Sequence, residues 1–462
     1  MTRTEIKCGN WEYMGEGGKH AVFIHSSRDE CSQTDHACQE YHGRVLRINK
    51  AAFQGKNIKD DDDQTILYRK KMKDVFKNYM DEPQKYTMHS SLVQTLREQA
   101  LNSELIPKSR IKDWSPEMEC APLSENICVD LIPNYRTQEE HQISIEIKPK
   151  AGYLPSSPLI HPNRRFKYHT SRFRILQQLN IMGKIEKGWN RNASLEERIK
   201  SDYDPLDLFS EDLTRIRKAI DALFECPQNN LKVYWRNIML FGHECSLEEK
   251  KFSRCDAYNS LFCVMDQKET SNGSGTKQLE NELKEMISNI LRDNTFLTLL
   301  LHAQKMYDLL DVDGAILVYN RLLSLCGNSH EKVESAFDDM NHSPAHHCHT
   351  LEVFVQYLKE SSYAKESCGQ GMEIIESLSK EDCTSLLSDW LFSLALCDVS
   401  FFIMLRRSDS NGGSRPGSKT IESNSGMKFE YDIKVVDYDR KLPSKLRKRE
   451  QEERNLDTFR DC

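Results

Sequence analysis

The sequence predicts an α+β protein, and three observations carry that prediction. Alternating apolar runs, the mark of strands with two unlike faces, gather in the first 150 positions and return near position 430. Helical spacing dominates from Phe166 onward. A glycine turn, a Lys-Pro-Lys tripeptide and an acidic strand end all fall at the borders of predicted strands, where such folds gather ligands.

In order, Trp11 to Lys50 reads as a strand, a glycine turn and two further strands, with Val22-Phe23-Ile24 and Val45-Leu46-Arg47-Ile48 as the apolar runs. Lys59 to Gln64 reads as an acidic, solvated loop, and Leu67 to Tyr79 as a helix through Leu67, Met72, Val75 and Phe76. Ile127 to Leu131 and Ile143 to Ile147 are strands parted by a polar loop with Pro133 and Asn134, a candidate hinge. Ser271 to Thr276 and Ser408 to Ser425 read as surface loops, and a last strand, Lys428 to Asp439, precedes a basic helical tail. Trp390 to Leu405 is apolar but short for a membrane span and is broken by Asp398; it reads as a buried strand or helix carrying an acid.

A chain of 462 residues suffices for two or three domain-sized units or a two-lobed enzyme. Its net charge of −7 gives no global attraction to nucleic acid or an anionic membrane, so any anion site must be local. The 15 cysteines are scattered and odd in number, and Met1 to Trp11 has no apolar signal segment, which together predict a reduced, intracellular protein.

Four constellations carry chemistry. Gly15-Glu16-Gly17-Gly18-Lys19 lies inside a predicted hairpin, where glycines let backbone N–H groups approach phosphate. His20 follows Lys19 in place of Ser or Thr, so it is no Walker loop; a plain turn and the nucleotide-covering hairpin of kinases, with Arg47 on a following strand, both remain open. In Ile145-Glu146-Ile147-Lys148-Pro149-Lys150, Glu146, Lys148 and Lys150 share one parity and Pro149 ends sheet pairing, which sets two ammonium groups at a strand end. Asp437 and Asp439 continue the parity of Phe429, Tyr431, Ile433 and Val435, and fit either a Mg²⁺ site or an ordinary turn. Asp398, inside an apolar run, is costly unless paired or metal-bound.

Taken together, these segments resemble the inositol-pentakisphosphate 2-kinase family, whose members phosphorylate the axial 2-hydroxyl of inositol pentakisphosphate to give phytate. Glu146-Ile147-Lys148-Pro149-Lys150 is similar to the family's Glu-x-Lys-Pro-Lys signature, and Gly152-Tyr153-Leu154-Pro155 is similar to the family's next few residues. Arg165-Phe166-Lys167-Tyr168-His169, Pro205-Leu206-Asp207-Leu208, Gln228 to Lys232, Asp398-x-Ser400 and Val436-Asp437-Tyr438-Asp439-x-Lys441 come in the family's order. The pattern departs at Cys397, where a lysine is usual, at Arg440 and Leu442, and at Arg449, where plant members carry a tyrosine.

The resemblance implies a two-lobed kinase-like fold: a smaller mixed sheet-and-helix N-lobe over residues 1–134 and a larger helix-rich C-lobe around a central sheet over residues 135–462. It implies ATP and Mg²⁺ as cofactors and inositol 1,3,4,5,6-pentakisphosphate as substrate. Gly15, Glu16, Gly17, Gly18, Arg47, Asn134, Glu146 and Lys148 are then expected at ATP, with Val129 to Asn134 as the adenine hinge. Lys148, Asp398 and Asp437 are expected to act in transfer, and Asp437 with Asp439 to hold the metal. Lys150, Lys167, Asn229, Asn230, Lys232, Lys441 and Lys445 are expected around the inositol phosphate, where amides and lysines suit a dense polyanion.

The expected protein is a monomer of cytoplasm or nucleus, without a membrane span or an obligatory nucleic acid. Rivals are a binder of nucleic acid or phosphoinositide, on the basic tail Lys441 to Arg449, and a family member that binds inositol phosphates without turnover. His342, His346, His347, Cys348 and His349, with Cys326 and His330 upstream, read either as a structural zinc set or as a polar loop.

Overall fold

In a computed structural model of the chain, the described residues are 4–6, 11–16, 20–25, 41, 43–53, 63–103, 126–136, 141–186, 201–242, 274–339, 349–360, 368–408 and 418–457. Their strands make two six-stranded sheets. The first contains β1 (Thr4–Ile6), β2 (Trp11–Glu16), β3 (His20–His25), β4 (Arg44–Asn49), β5 (Gln84–His89) and β6 (Asn126–Pro133), in the order β1-β5-β6-β4-β3-β2. Only the β1–β5 pair is parallel. The second contains β7 (Gln142–Ile147), β8 (Leu231–Trp235), β9 (Ile238–Phe241), β10 (Ser400–Arg407), β11 (Lys419–Glu422) and β12 (Lys428–Val436), all antiparallel, in the order β11-β12-β10-β7-β8-β9.

Among the described residues the helices of ten residues or more are α1 (Asp63–Phe76) and α2 (Ser90–Leu101), then α3 (Arg172–Glu186), α4 (Leu213–Glu225), α5 (Ser274–Asp293), α6 (Phe296–Tyr307), α7 (Asp311–Leu325), α8 (His330–Asp339), α9 (His349–Glu360), α10 (Cys368–Ser377), α11 (Lys380–Leu396) and α12 (Ser444–Asp457). Local chemistry sets several of their ends. Ser379 and Asp382 close a capping box at the start of α11, and Asp212 caps α4. Arg236 and Asn237 both take positive φ, 50° and 63°, the requirement of the tight turn that joins β8 to β9.

Each sheet has its own apolar core. Trp11, Phe23, Leu46, Phe53, Val93 and Leu96 fill the first, under α2. Ile143, Ile145, Ile147, Phe401, Ile403 and Ile433 line one face of the second, against α4, α5 and α6. Met72, Phe76 and Met80 join that second core, so α1 packs on the sheet that follows it rather than on the one it interrupts. A third core lies among α7 to α11 around Phe354 and Trp390.

The predicted strands at Trp11, Val22, Val45, Ile127, Ile143 and Lys428 and the helix at Leu67 are all present. Several readings change. Helices dominate after Phe166 as expected, but β8 and β9 add one edge of the second sheet, and Ser408 to Ser425, read as a surface loop, carries β11. Trp390 to Leu405 is both helix and strand: α11 ends at Leu396 and β10 starts at Ser400, which leaves Asp398 in the turn between them. The alternation at Ile143 to Ile147 does not mark one buried and one exposed face, because Ser144 on the other face is 0% exposed; the strand is central, flanked by β8 and β10.

Lys167 stands apart from the other predicted cations. It is 2% exposed and ion-paired to Asp311, to Asp313 at 3.1 Å and to Glu453 at 3.0 Å. Arg172 also reaches Glu453, at 2.8 Å, and Arg164 pairs with Asp313. The cluster thus fixes α12 to the N-terminal turn of α7, and Lys167, expected around the inositol phosphate, is engaged in that anchor. Burial opposes its charge, but the three carboxylates raise its pKa above the ordinary lysine value. Removing one partner of a buried ion pair costs about 3–5 kcal/mol, because the others remain charged and dry. Lys167→Met is therefore expected to lower stability by about that amount in urea unfolding, and a loss under about 1 kcal/mol would show the cluster to be solvated.

Candidate active site

Glycine geometry brings the two sheets to a shared cleft. The β2–β3 pairing carries a bulge between Tyr13 and Gly15, and Gly15 takes φ +147°, open to glycine and strained for other residues. Past the bulge β3 sets Val22 and His20 over the cleft, and β4 adds Val45 and Arg47. Ile132, Pro133 and Asn134, where β6 leaves the first sheet, form its back. Phe402 of β10 and Val436 of β12 form part of the floor. The cleft holds about 510 Å³, with an apolar slot between Val22, Val45, Ile132, Phe402 and Val436 and a strongly charged outer end.

Strand ends supply the charged end. Lys148, just past β7, places Nζ 3.0 Å from Asp398 Oδ1 and 3.2 Å from Asp437 Oδ2. Asp398 also accepts from Lys150 at 3.2 Å and from Lys441 at 2.6 Å. Asp437 follows β12 in the left-handed region, φ +58°, and Lys150 takes φ +67°. Such backbone costs a residue with a Cβ about 1–2 kcal/mol, and it concentrates where side-chain aim matters. Across the cleft Arg47 reaches Asp439 at 3.5 Å and His20 at 3.1 Å, and His20 lies 3.5 Å from Asp439.

These contacts set the protonation states. Burial works against the charge of Asp398, but Lys148, Lys150 and Lys441 together hold its carboxyl well below the usual range. Burial lowers the Lys148 pKa, and Asp437 with Asp398 more than reverses this, so Lys148 stays charged. Lys150 is pushed down by burial and by its neighbour Lys148, which Asp398 only partly offsets. Burial depresses Arg47 and Asp439 outweighs it.

The predicted site residues divide clearly. Arg47, Asn134, Glu146, Lys148, Asn229, Lys232, Asp398, Asp437, Asp439, Lys441 and Lys445 all line the cleft, with Gly15 at its edge. Lys150 adjoins it through Asp398. Asn230 does not point there: it is 4% exposed and its Nδ2 donates to the Lys148 carbonyl at 2.7 Å. Gly17, Gly18 and the side chain of Glu16 lie outside the described residues. The sequence reading missed His20, though it adjoins the glycine run, and Arg136, which lines the cleft 4.3 Å above the Tyr234 ring.

Asp437 and Asp439 suit Mg²⁺ in kind: both are carboxylates on the cleft wall, with side chains 44% and 25% exposed. Among the described residues no three His, Cys, Asp or Glu side chains converge to make a metal cage. The zinc reading finds no support there either. His330 bonds Tyr319 at 2.9 Å and Cys326 is a buried free thiol, while His342, His346, His347 and Cys348 lie outside the described residues, as does the side chain of His349. Among the described residues no helix is long and apolar enough to cross a membrane.

Asp398→Asn removes the charge that three lysines share. It is expected to tighten binding of inorganic tripolyphosphate by about fivefold at low salt, read by calorimetry, with the gain fading as salt rises. Because the folded state depresses the Asp398 pKa, its stabilising contribution is present above about pH 4 and lost as pH falls further. The melting-temperature gap between native and Asp398→Asn protein should therefore close in acid.

A sequence model of the inositol-pentakisphosphate 2-kinase family matches residues 13–455. An inositol-pentakisphosphate 2-kinase of Arabidopsis thaliana is 25% identical over 361 residues, which is 70% of this chain and 72% of that protein. Its counterpart in Oryza sativa subsp. japonica is 24% identical over 309 residues, 66% of this chain and 57% of that protein. That of Danio rerio is 28% identical over 255 residues, 52% of this chain and 46% of that protein. With a family match reaching from one edge of the cleft-bearing fold to the other, the chain belongs to the inositol-pentakisphosphate 2-kinase family.

Proposed function

We propose that this chain transfers the γ-phosphoryl group of ATP to the 2-hydroxyl of inositol 1,3,4,5,6-pentakisphosphate, with Mg²⁺ as the metal. The observation that carries this reading is the Lys148 ammonium held between Asp398 and Asp437 in a cleft lined by further cations. In this reading the two sheets act as the two lobes of a kinase-like fold, and the segment from Pro133 to Asn134 is the hinge. The apolar slot suits an adenine ring, and Glu146, which lines the same cleft and accepts from the Tyr234 hydroxyl at 3.2 Å, would receive a ribose hydroxyl.

Phosphoryl transfer passes through a loose transition state, so the protein's task is to aim the reactants and balance charge. Lys148 and Arg47 would neutralise the nucleotide phosphates from below and above. Asp437 and Asp439 would hold Mg²⁺, which would supply charge to offset that of the phosphates. Asp398 would accept a hydrogen bond from the attacking hydroxyl. With three lysines on it, Asp398 is a weak base, yet substrate phosphates compete for Lys150 and Lys441, and losing them raises its basicity as the hydroxyl arrives. Lys232, Asn229, Lys441 and Lys445 would receive ring phosphates, and their spacing, rather than any apolar contact, would select the isomer.

The test is incubation of the purified protein with ATP, Mg²⁺ and the pentakisphosphate, with products resolved by anion exchange. Hexakisphosphate is expected from the native chain, with kcat lowered by about 10²- to 10⁴-fold in Lys148→Ala and in Asp437→Ala. Tight pentakisphosphate binding without turnover would overturn the reading in favour of a non-catalytic binder.

A further inference from the structure

The sheet ladder ends at Ile147, and the next three carbonyls along the chain need other donors. Each finds one on a different element. Asn230 Nδ2 donates to Lys148 O at 2.7 Å, the Tyr203 hydroxyl to Pro149 O at 2.8 Å, and Gln304 Nε2 to Lys150 O at 3.0 Å. The donors are 4%, 1% and 0% exposed, so their bonds are made in a dry, low-dielectric setting.

Gln304, on α6, does more than cap one carbonyl. The same Nε2 donates to Leu396 O at 3.2 Å, and Oε1 accepts from Gly152 N at 3.0 Å. Lys150 O and Gly152 N lie on the C-terminal side of the left-handed Lys150, so the amide grips the turn that this strained residue makes. At Gly152 an added Cβ would stand 2.2 Å from the Phe209 ring, so the chain there is wedged as well as bonded. Leu396 is the last residue of α11, two positions before Asp398. One carboxamide therefore joins the turn that bears Lys148 and Lys150 to the turn that bears Asp398.

We propose that Gln304 is a positioning residue for phosphoryl transfer, setting the lysine pair at a fixed separation from Asp398 without touching a reactant. Neither Gln304 nor Tyr203 lines the cleft. A shift of about 1 Å between reacting groups slows a reaction by up to about 100-fold, whereas binding that spreads over many phosphate contacts changes little. The signature of the role is a fall in kcat with KM nearly constant.

The inference rests on the phosphotransferase reading, so the native chain is assayed beside every variant. Gln304→Met removes all three bonds, and Gln304→Glu keeps the acceptor for Gly152 N while losing the donors. Both are expected to lower kcat by about 10- to 100-fold, with KM for ATP and for the pentakisphosphate within about threefold of native. Tyr203→Phe, which frees only Pro149 O, should slow kcat about threefold. Leu387→Ala, in the helical core at 0% exposure, loses stability through a cavity and should keep native kcat. Gln304 variants that lose no more kcat than Leu387→Ala overturn the inference. So does failure of both Gln304 variants to fold while Tyr203→Phe is fully active, since the clamp would then serve folding alone. No product from the native chain overturns the phosphotransferase reading and the inference with it; an active native chain with unimpaired Gln304 variants overturns only the inference.

Discussion

Everything at the cleft depends on how Lys148 is shared between two carboxylates, at 3.0 Å from Asp398 and 3.2 Å from Asp437. One ammonium cannot balance two carboxylates in a partly dry site, so further charges are drawn in. Lys150 and Lys441 come to Asp398 from the two flanking segments. Asp439, two residues past Asp437, finds its partners in Arg47 and His20 on the other sheet. The resulting run of alternating charges crosses from one sheet to the other. Three adjacent strands make it possible, because β7, β10 and β12 pair side by side and present an end, a beginning and an end at one edge.

Charges placed this closely must also be held still, and the helical part of the chain does that. α12 follows Lys441 and carries Lys445 in its first turn, while Glu453 near its other end is buried under Lys167 and Arg172. Leu446 of the same helix enters the third core. Tyr153, three residues past Lys150, bonds Asp308, whose carboxyl is pushed up by burial and by nearby Asp311. Asp311 in turn pairs with Lys167, so the buried ion cluster and the cleft share one framework of polar bonds. Such a network is costly to break at any member, which ties the aim of the cleft lysines to the packing of α7 and α12.

Much of this was legible where local chemistry has one period or one exception. The alternation at Ile143, the helix at Leu67 and the parity of Lys148 with Glu146 read directly, because side-chain direction follows backbone period. Asp398 stood out as an acid in an apolar run, and its meaning changed once the run proved to be a helix and a strand with a turn between. The β8–β9 hairpin was present in Val233-Tyr234-Trp235-Arg236-Asn237 as strand residues before a turn pair, but the surrounding helical pattern outweighed five residues. Lys167 and Asn230 could not be sorted from Lys148 and Asn229 by type, since whether an amide or ammonium faces the cleft or a buried partner is decided by tertiary packing. Gln304 carried no sequence signal at all. A single glutamine in an apolar helix looks like any tolerated polar residue until three backbone groups converge on it.

The ion pairs around Asp398 would give the proposed reaction a built-in order. Lys148, Lys150, Lys441 and Arg47 are engaged with the protein's own carboxylates, so a lone phosphate would gain little by displacing them. Lys150 and Lys441 both bond Asp398, so a ligand with many phosphates would compete for several lysines together and its entry would free Asp398 in the same event. On the proposed reading the acid would become basic only when the polyanion occupied the site, and water arriving alone would face a carboxylate still held by lysines. Discrimination against hydrolysis would arise from charge competition within the chain's own ion pairs, with no separate gate needed.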